Sequence, residues 1–180
     1  MGLNIDNCLV MMVDIQEKLF PHIKDFQTLQ QKQEILLKGV KALDLPLVVN
    51  EQYKKGLGNT IDKLGEILGK YNSFEKTTFS CCKNDPTLDA IKKLNKEYVV
   101  VFGIETHICV LQTCLDLLAN GNKVVLVVDC VGSRKSIDNE MAIKRLIQAG
   151  VIPTTYESFL FEVLANAKHE KFKEISSLIK

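Results

Sequence analysis

Apolar residues along the chain occur in short continuous runs separated by longer amphipathic segments. A strand-length apolar run without alternation is typical of a strand buried on both faces of a parallel sheet. Phe74 stands in a more polar setting, where we expect a very short strand. The longer runs are CLVMMV (8–13), LPLVV (45–49), YVVVF (98–102), KVVLVV (123–128) and VIPTT (151–155).

The segments between the runs have helical spacing. In residues 25–43, apolar side chains recur three and four positions apart, which predicts a long amphipathic helix. Thr60 is a candidate cap for a short helix that ends near Leu68, and Asp85 with Pro86 is typical of a helix start. Further helices are predicted over 107–119, over 136–149 and in a tail from about Glu157, whereas NEQYKKGLGNT (50–60) has the composition of a loop.

Strand and helix alternate along the whole chain, and no Pro/Gly/Ser-rich linker or internal repeat divides it. Such alternation produces a parallel sheet with helices on both faces. A length of 180 residues is enough for one substantial core. We therefore expect a single domain over residues 1–180 with an α/β fold, a three-layer α/β/α sandwich around a six-stranded, mostly parallel, doubly wound sheet.

Composition and charge narrow the functional classes. Apolar residues make up 46% and charged residues 25% of the chain, as in soluble globular proteins, and no apolar run approaches the ~20 residues of a membrane span. A formal net charge of +1 favours neither nucleic acid nor a membrane as a partner. The first residues do not resemble a secretory signal, and the cysteines lack metal-site spacing, so we expect free thiols and a cytoplasmic protein.

Polar side chains stand at or just after the ends of several predicted strands. In an open parallel sheet the ligand site lies beyond the carboxyl ends of the strands, where the strand order reverses. The candidates selected by this rule are Asp14 after the first strand, Glu51 and Gln52 after the second, Lys76 after the third, Cys109 after the fourth and Asp129 at the end of the fifth.

Cys109 is a candidate nucleophile because GIETHIC (103–109) places it in the first turn of a predicted helix. The positive end of the helix dipole and the N–H groups of that turn favour a thiolate and could hold an oxyanion. A buried, inert cysteine would also be common at this position. His107 points in a different direction on the helix, so we expect a capping, packing or substrate-adjacent role for it rather than that of a base.

Asp14 is the stronger candidate for the base. Burial after an apolar strand raises a carboxyl pKa, whereas a nearby ammonium such as that of Lys76 would keep the group ionised. Asp14, Lys76 and Cys109 could then form a site in which the carboxylate takes the thiol proton. Taken singly, aspartates and lysines after strands usually serve as caps or solvated turn residues, and spacing alone does not decide between these interpretations.

The sequence segments around Asp14, Lys76 and Cys109, in this order, resemble those of the isochorismatase-like cysteine hydrolases. The resemblance extends over almost the whole chain. The resemblance is carried by VMMVDIQEKL with Asp14 and Gln16, by EKTTFS with Lys76 and by GIETHICVLQT with Cys109. VVDCVGSR and IQAGVIPTTYESFLFE extend it, and NEQYKKGLGNT is similar to a loop of the isochorismatase-domain-containing subgroup.

The resemblance implies a hydrolase that works by acyl transfer. Asp14 would be the general base, Lys76 the orienting cation and Cys109 the nucleophile of a covalent intermediate that water resolves. It also implies a cis peptide at Ile104-Glu105 and an oxyanion hole formed by the N–H groups of Glu105 and Cys109. No cofactor is implied.

Two departures from the family patterns narrow the substrate. Nicotinamidases of the family bind a metal through an aspartate and a pair of histidines after the second strand, where this chain has Glu51, Gln52 and Tyr53, so we expect no metal. True isochorismatases tend to lack the cysteine, so an amide or related C–N bond of a small molecule suits Cys109 better. The residues expected to contact substrate are Gln16, Gln52, Tyr53, Phe79, Glu105 and His107.

Several alternatives stay open. Glu105 could meet a cationic group or cap the helix. Ser133 and Arg134 could bind an anionic substrate group or pair across subunits, although a surface salt bridge is the interpretation we favour. Cys81 and Cys82 are expected to be packing or interface residues.

Other functional classes also stay open. A catalytically silent binding or scaffolding protein would keep the same fold. A nucleotide-binding module of Rossmann type is disfavoured, because VDIQEKLF after the first strand lacks a glycine-rich turn. The resemblance further implies a homo-oligomer, for which Phe159, Leu160 and Phe161 give only indirect support, since they could equally belong to the core.

Overall fold

Six short strands form one sheet, in which every neighbouring pair runs parallel. The computed structural model describes residues 2–180. The order β3-β2-β1-β4-β5-β6 reverses direction between β1 and β4, so the predicted doubly wound α/β fold is confirmed. The strands are β1 (Cys8–Val13), β2 (Leu47–Gln52), β3 (Ser73–Lys76), β4 (Tyr98–Ile104), β5 (Lys123–Gly132) and β6 (Ile152–Thr154).

Helices connect the strands and cover both faces of the sheet. The α-helices are α1 (Phe26–Ala42), α2 (Lys54–Leu57), α3 (Asp62–Leu68), α4 (Asp85–Leu94), α5 (Leu111–Ala119), α6 (Ser136–Gln148), α7 (Tyr156–Leu164) and α8 (Phe172–Ile179). Short 3₁₀ turns lie at Phe20–His22 and Cys81–Lys83, and a π-helix spans Thr106–Val110. Between residues 2 and 180, none of the helices combines the length and the hydropathy that a membrane-spanning helix requires.

The core consists of two apolar layers, one on each face of the sheet. Along β1, Val10 and Met12 pack into a layer with helices α1, α3, α7 and α8, whereas Leu9 and Met11 pack into a layer with α4, α5 and α6. All six residues of β1 are fully buried, which explains why their apolar run does not alternate. Phe159 and Leu160 belong to the first layer, so they are core residues rather than surface ones.

Gly103 allows β1 and β4 to approach closely where the strand order reverses. Its backbone has a φ of +130°, and a Cβ at this position would lie 2.8 Å from the backbone nitrogen of Val13. Both the positive φ and the close contact with the Val13 backbone therefore exclude a side chain at this position. This contact brings the end of β4 next to the residue that follows β1, which is Asp14.

Four local predictions about where elements begin, end or are capped were wrong. β5 continues to Gly132, since its last residues pair with β4, so Asp129 lies inside the strand rather than at its end. Its carboxylate accepts a hydrogen bond from the backbone N–H of Tyr156 and lies 3.7 Å from the Lys32 ammonium. The predicted loop 50–60 instead contains the end of β2 and helix α2.

Thr60 also does not cap α3, whose first flanking residue is Ile61. Its hydroxyl and backbone N–H both donate to the buried carboxylate of Glu51, at 2.8 and 2.7 Å. Similarly, Asp85 and Pro86 begin α4, but the flanking position belongs to Asn84 and no side chain caps this helix.

Glu51 joins three segments around the end of β2. Besides Thr60, its carboxylate accepts hydrogen bonds from the Ser73 hydroxyl and lies 2.9 Å from the Lys54 ammonium. Burial alone would raise its pKa, but the hydrogen bonds from Ser73, Lys54 and Thr60 outweigh burial and lower the pKa below its ordinary value. The ionised form of Glu51 therefore stabilises the folded protein.

We predict that Glu51→Gln lowers the free energy of unfolding at neutral pH by about 1–3 kcal/mol, since a buried hydrogen-bonded charge is lost. Because folding lowers this pKa, the contribution is fully present above the ordinary Glu value of ~4.3 and is lost as the pH falls through the folded-state value. Urea unfolding of both proteins at neutral and acidic pH measures this difference. Glu66→Gln, an exposed glutamate in α3, is the control; an equal effect there, or a pH-independent difference, would contradict the prediction.

Candidate active site

Three of the predicted site residues meet at the carboxyl ends of the strands. Asp14 follows β1 in a left-handed backbone conformation with a φ of 52°, and it is fully buried. Lys76 is the last residue of β3, and Cys109 lies in the π-helix that follows β4. The strand-end rule therefore locates these residues correctly, although Lys76 starts two strands away from Asp14 in the sheet.

The ammonium of Lys76 is held by four acceptors. Its Nζ atom lies 2.7 Å from Oδ2 of Asp14 and 2.6 Å from Oε1 of Gln52, and 3.2 Å from the carbonyl oxygens of both Thr78 and Phe79. The side chains of Lys76 and Asp14 are both inaccessible to solvent. A buried charge pair is stable only when further hydrogen bonds compensate for the lost water, and Gln52 and the two carbonyl groups supply them here.

Asp14 keeps one carboxylate oxygen uncommitted. Within residues 2–180, its Oδ1 atom is buried and has no hydrogen-bond partner, whereas Oδ2 accepts from Lys76. Such an oxygen is uncommon in a folded protein and often marks a functional position. Cys109 lies close enough to Asp14 for the two groups to shift each other's pKa. The arrangement therefore offers an acceptor for the thiol proton.

Burial and charge set the resting protonation of the site. Burial raises the pKa of the Asp14 carboxyl, and the Lys76 ammonium opposes this shift. Burial alone would lower the pKa of Lys76, but the charge of Asp14 is the largest of the opposing effects, and the pKa is raised. Burial and the Asp14 charge raise the pKa of the Cys109 thiol well above its ordinary value. The expectation that this position favours a thiolate is therefore wrong, because burial and the Asp14 charge both favour the protonated thiol.

The chain leaves β4 through an irregular turn. The Ile104-Glu105 peptide is cis, as the family resemblance implied. The carbonyl oxygen of Glu105 accepts hydrogen bonds from the N–H groups of Ile108 and Val110, at 3.1 and 3.2 Å, and a π-helix replaces the predicted regular first turn. Short π-helical segments are frequent at functional sites. The oxyanion hole at the N–H groups of Glu105 and Cys109 stays a prediction.

The Glu105 side chain is fixed by Arg134. Its carboxylate is buried, and it accepts from the backbone N–H and from Nε of Arg134 at 3.1 Å. It therefore neither caps the helix nor faces a free cation, and Arg134 forms the expected salt bridge within the chain. This pair ties the turn after β4 to the segment after β5.

A small pocket of ≈ 130 Å³ opens above these groups. Its lining residues are Asp14, Leu19, Gln52, Leu57, Phe79, Glu105, Ile108 and Cys109. A larger cleft of ≈ 310 Å³ beside Lys24 and Asp129 contains none of the three site residues, so we assign the chemistry to the smaller pocket. The predicted contacts Gln52, Phe79 and Glu105 are therefore at the pocket.

The other three predicted contact residues lie elsewhere. The Gln16 side chain is buried, where it bonds the backbone of Gln52 and the carbonyl of Gly58 and so fixes the loop that follows β2. Tyr53 is 49% exposed and lies against Gly56 rather than in the pocket. His107 pairs through Nδ1 with the Ser133 hydroxyl at 2.9 Å. Gln16 and His107 are thus satisfied by internal hydrogen bonds, which a strand-end rule cannot detect.

Sequence reasoning missed the apolar side of the pocket. Leu19, Leu57 and Ile108 come from three separate segments, and nothing in the local pattern distinguishes them from ordinary core residues. Gly103 inside a valine-rich strand was a usable signal, because an isolated glycine in a strand often marks a close backbone approach.

The cysteines and acidic residues show no metal-binding arrangement. Within residues 2–180, no group of three His, Cys, Asp or Glu side chains is placed to hold an ion. The six cysteines are free and buried, and Cys81 and Cys82 pack in the core layer that also contains Cys109. Their role as packing residues is therefore confirmed.

Comparison with known proteins gives one consistent family. The model of the isochorismatase domain matches residues 8–158. Isochorismatase domain-containing protein 1 of Salmo salar is 40% identical over 167 residues, which cover 93% of this chain and 59% of that protein. This chain thus spans less than two thirds of the length of that relative.

Solved structures share the fold. The structure of MAR1 ribonuclease from Caenorhabditis elegans matches with a TM-score of 0.93 at 40% identity, covering 99% of this chain and 92% of that chain. The YcaC gene product of Escherichia coli, named an octameric hydrolase of unknown specificity, also matches with a TM-score of 0.93, at 20% identity, covering 99% of this chain and 89% of that one. At that identity the likeness to YcaC shows the fold alone.

The coupling of the three groups predicts opposite effects of two substitutions on Cys109. Asp14→Asn removes the charge that raises its pKa, so alkylation at a fixed alkaline pH should accelerate about tenfold or more. Lys76→Met removes the charge that lowers it, so alkylation should slow by a similar factor. Mass spectrometry of iodoacetamide-treated protein measures both rates.

Cys130, which lies in the other core layer, serves as the internal control in the same digests. Changes of the same sign in both variants, or equal changes at Cys130, would show that the groups are not coupled as the geometry indicates.

Proposed function

Because this chain belongs to the isochorismatase family of hydrolases, we propose that it hydrolyses an amide or related C–N bond of a small molecule through Cys109. The observation that carries the proposal is the convergence of Cys109 and the buried Lys76–Asp14 pair at one pocket, with an uncommitted carboxylate oxygen on Asp14. A thiol, a base and an orienting cation are the parts that covalent acyl transfer needs.

In the first half of the proposed reaction, Asp14 takes the proton of the Cys109 thiol while the sulfur bonds to the carbonyl carbon. The carbonyl becomes an oxyanion, for which we propose the N–H groups of Glu105 and Cys109 as donors. The C–N bond then breaks, the proton passes from Asp14 to the leaving nitrogen, and the amine departs. The remaining acyl group is a thioester on Cys109.

In the second half, the Asp14 carboxylate takes a proton from a water molecule that attacks the thioester. The C–S bond breaks, the sulfur recovers a proton from Asp14, and the acid product leaves. One water is consumed for each C–N bond, and Asp14 and Cys109 return to their starting protonation. Lys76 stays protonated in the proposed cycle and positions the carboxylate of Asp14 through the 2.7 Å contact.

RNA cleavage is not part of this proposal, although the similar protein from Caenorhabditis elegans is named a ribonuclease. No lysine, arginine or histidine lines the pocket, and the formal net charge of the chain is only +1. An RNA backbone is bound mainly through contacts between cations and phosphates. A small molecule therefore fits the described surface better than a polyanion.

We also propose that the protein assembles with further copies of itself. The similarly folded YcaC gene product is named octameric, and Ile137 and Met141, which lie four residues apart on one face of helix α6, are 59% and 48% exposed. Large apolar side chains that share an exposed surface are typical of interaction sites.

The central test of activity is hydrolysis of a panel of short amides and carbamoyl compounds. We expect Cys109→Ala to reduce turnover to background, and Asp14→Asn and Lys76→Met to lower kcat by about 100-fold or more. Cys114→Ala removes another buried thiol of the same core layer and should keep most of the activity. Circular dichroism of each variant checks the fold.

A parent protein inactive on the whole panel would favour the binding or scaffolding alternative. Equal activity of Cys109→Ala and the parent would refute the cysteine mechanism.

The loss of kcat/KM at low pH should report the protonation of Asp14. The base works only when deprotonated, and burial raises its pKa, so kcat/KM should rise with pH through a midpoint above the ordinary aspartate value of ~3.9. Gln52→Glu places another carboxylate beside Lys76 and should move this midpoint upward by roughly one pH unit or more. Gln27→Glu, which adds the same charge on the exposed start of α1, should not move it. A midpoint at or below the ordinary value would contradict the role of Asp14.

A further inference from the structure

We infer that the pocket selects an uncharged substrate whose acyl part is compact and apolar, an inference that rests on the proposed function. It would thus exclude carboxylated, phosphorylated and nucleotide-like molecules even where they carry a suitable C–N bond. Three features of the described residues support this substrate class, namely the pocket walls, the charges and the available volume.

The walls facing Cys109 are apolar. Leu19 precedes the turn at Phe20–His22, Leu57 ends α2, Phe79 follows β3 and Ile108 precedes the nucleophile, so four separate segments each contribute one hydrophobic side chain. Phe79 is 55% exposed, which is unusual for a large aromatic ring and places apolar surface at the mouth. Burying an apolar substrate group against such a surface is favourable, whereas burying a charged group there is not.

The charges at the pocket also disfavour an anion. Asp14 and Glu105 are acidic, and the lining contains no basic side chain. The nearby Lys76 ammonium is saturated by Asp14, Gln52 and two backbone carbonyl groups, and its side chain is inaccessible. A substrate carboxylate would have to give up its water beside the Asp14 charge without gaining a counter-charge, which is costly.

A cationic substrate is disfavoured for a related reason. Both acidic side chains already have partners, since Lys76 donates to Asp14 and Arg134 binds the Glu105 carboxylate in two places. A second ammonium at Asp14 would compete with Lys76 at a distance where like charges repel. The charges of the site are therefore balanced internally, and a neutral ligand leaves that balance intact.

The volume limits the size of the acyl part. The pocket holds ≈ 130 Å³, close to the ~150 Å³ of an engineered apolar cavity that binds benzene. It is also well below the ~300 Å³ at which pockets for drug-sized ligands begin. We therefore expect an acyl part of about six non-hydrogen atoms or fewer, with any larger part of the molecule on the leaving-group side, outside the pocket.

Two alkylating reagents of nearly equal size test the charge selection without knowledge of the substrate. Iodoacetamide is neutral and iodoacetate is anionic, and both transfer a two-carbon group to sulfur with loss of iodide. We would measure the rate of each at Cys109 in the native protein and at the same peptide in the urea-unfolded chain. The preference for iodoacetamide should be at least about tenfold greater in the native protein than in the unfolded chain.

A matched pair of variants tests whether the wall determines this preference. Leu57→Lys places an ammonium at the pocket, so the selectivity at Cys109 should shift towards iodoacetate. Leu57→Met keeps the size and polarity of the wall and should retain the preference of the parent. Melting curves of both variants verify that the native fold persists under the reaction conditions.

The outcomes separate this inference from the proposed function. Strong preference for iodoacetamide, reversed or reduced only in Leu57→Lys, supports the inference. Ready reaction of Cys109 with both reagents at the unfolded-chain ratio would overturn the charge selection and leave the cysteine mechanism standing. A native preference for iodoacetate over iodoacetamide, relative to the unfolded chain, would also overturn the inference, whereas the proposed function is tested separately by the turnover of Cys109→Ala.

Discussion

The buried ion pair between Lys76 and Asp14 is the interaction on which the rest of the site depends. Two charges held out of water need compensation from several directions, and this requirement brings together the ends of β1, β2 and β3 and the loop after β3. Lys76 occupies one oxygen of Asp14 and leaves the other for the thiol of Cys109. Asp14 in turn neutralises the charge of Lys76, so this ammonium does not attract an anionic substrate. The ion pair therefore positions the base and also contributes to the selectivity that we infer.

The sheet supplies the precision that such a pair requires. β1 and β4 are neighbours at the reversal of strand order, and Gly103 lets their backbones approach more closely than any side chain would allow. Buried strands on both sides fix the position of Asp14, while the ion pair between Glu105 and Arg134 holds the turn that leads to Cys109. Groups carried by rigid strand ends keep a defined geometry, which catalysis by proton transfer needs.

Much of this arrangement could be predicted from the sequence. Strands buried on both faces leave continuous apolar runs, so the sheet and the strand-end positions of Asp14, Lys76 and Cys109 followed from local pattern and one topological rule. Long-range hydrogen bonds leave no such pattern, which is why Gln16 and His107 were assigned to the substrate although they hold other segments of the chain. The pKa of Cys109 was misjudged for a similar reason, because burial and the charge of Asp14 outweigh the helix position that the sequence reveals.

A rapid-quench experiment with intact-protein mass spectrometry tests the central claim most directly. The parent is mixed with a short neutral amide or its activated ester, quenched in acid and digested to locate any added acyl mass. We expect an acyl group on Cys109 that forms before product accumulates and that is absent from Cys109→Ser. Turnover without any acylated Cys109, or with the acyl group on a different residue, would contradict it.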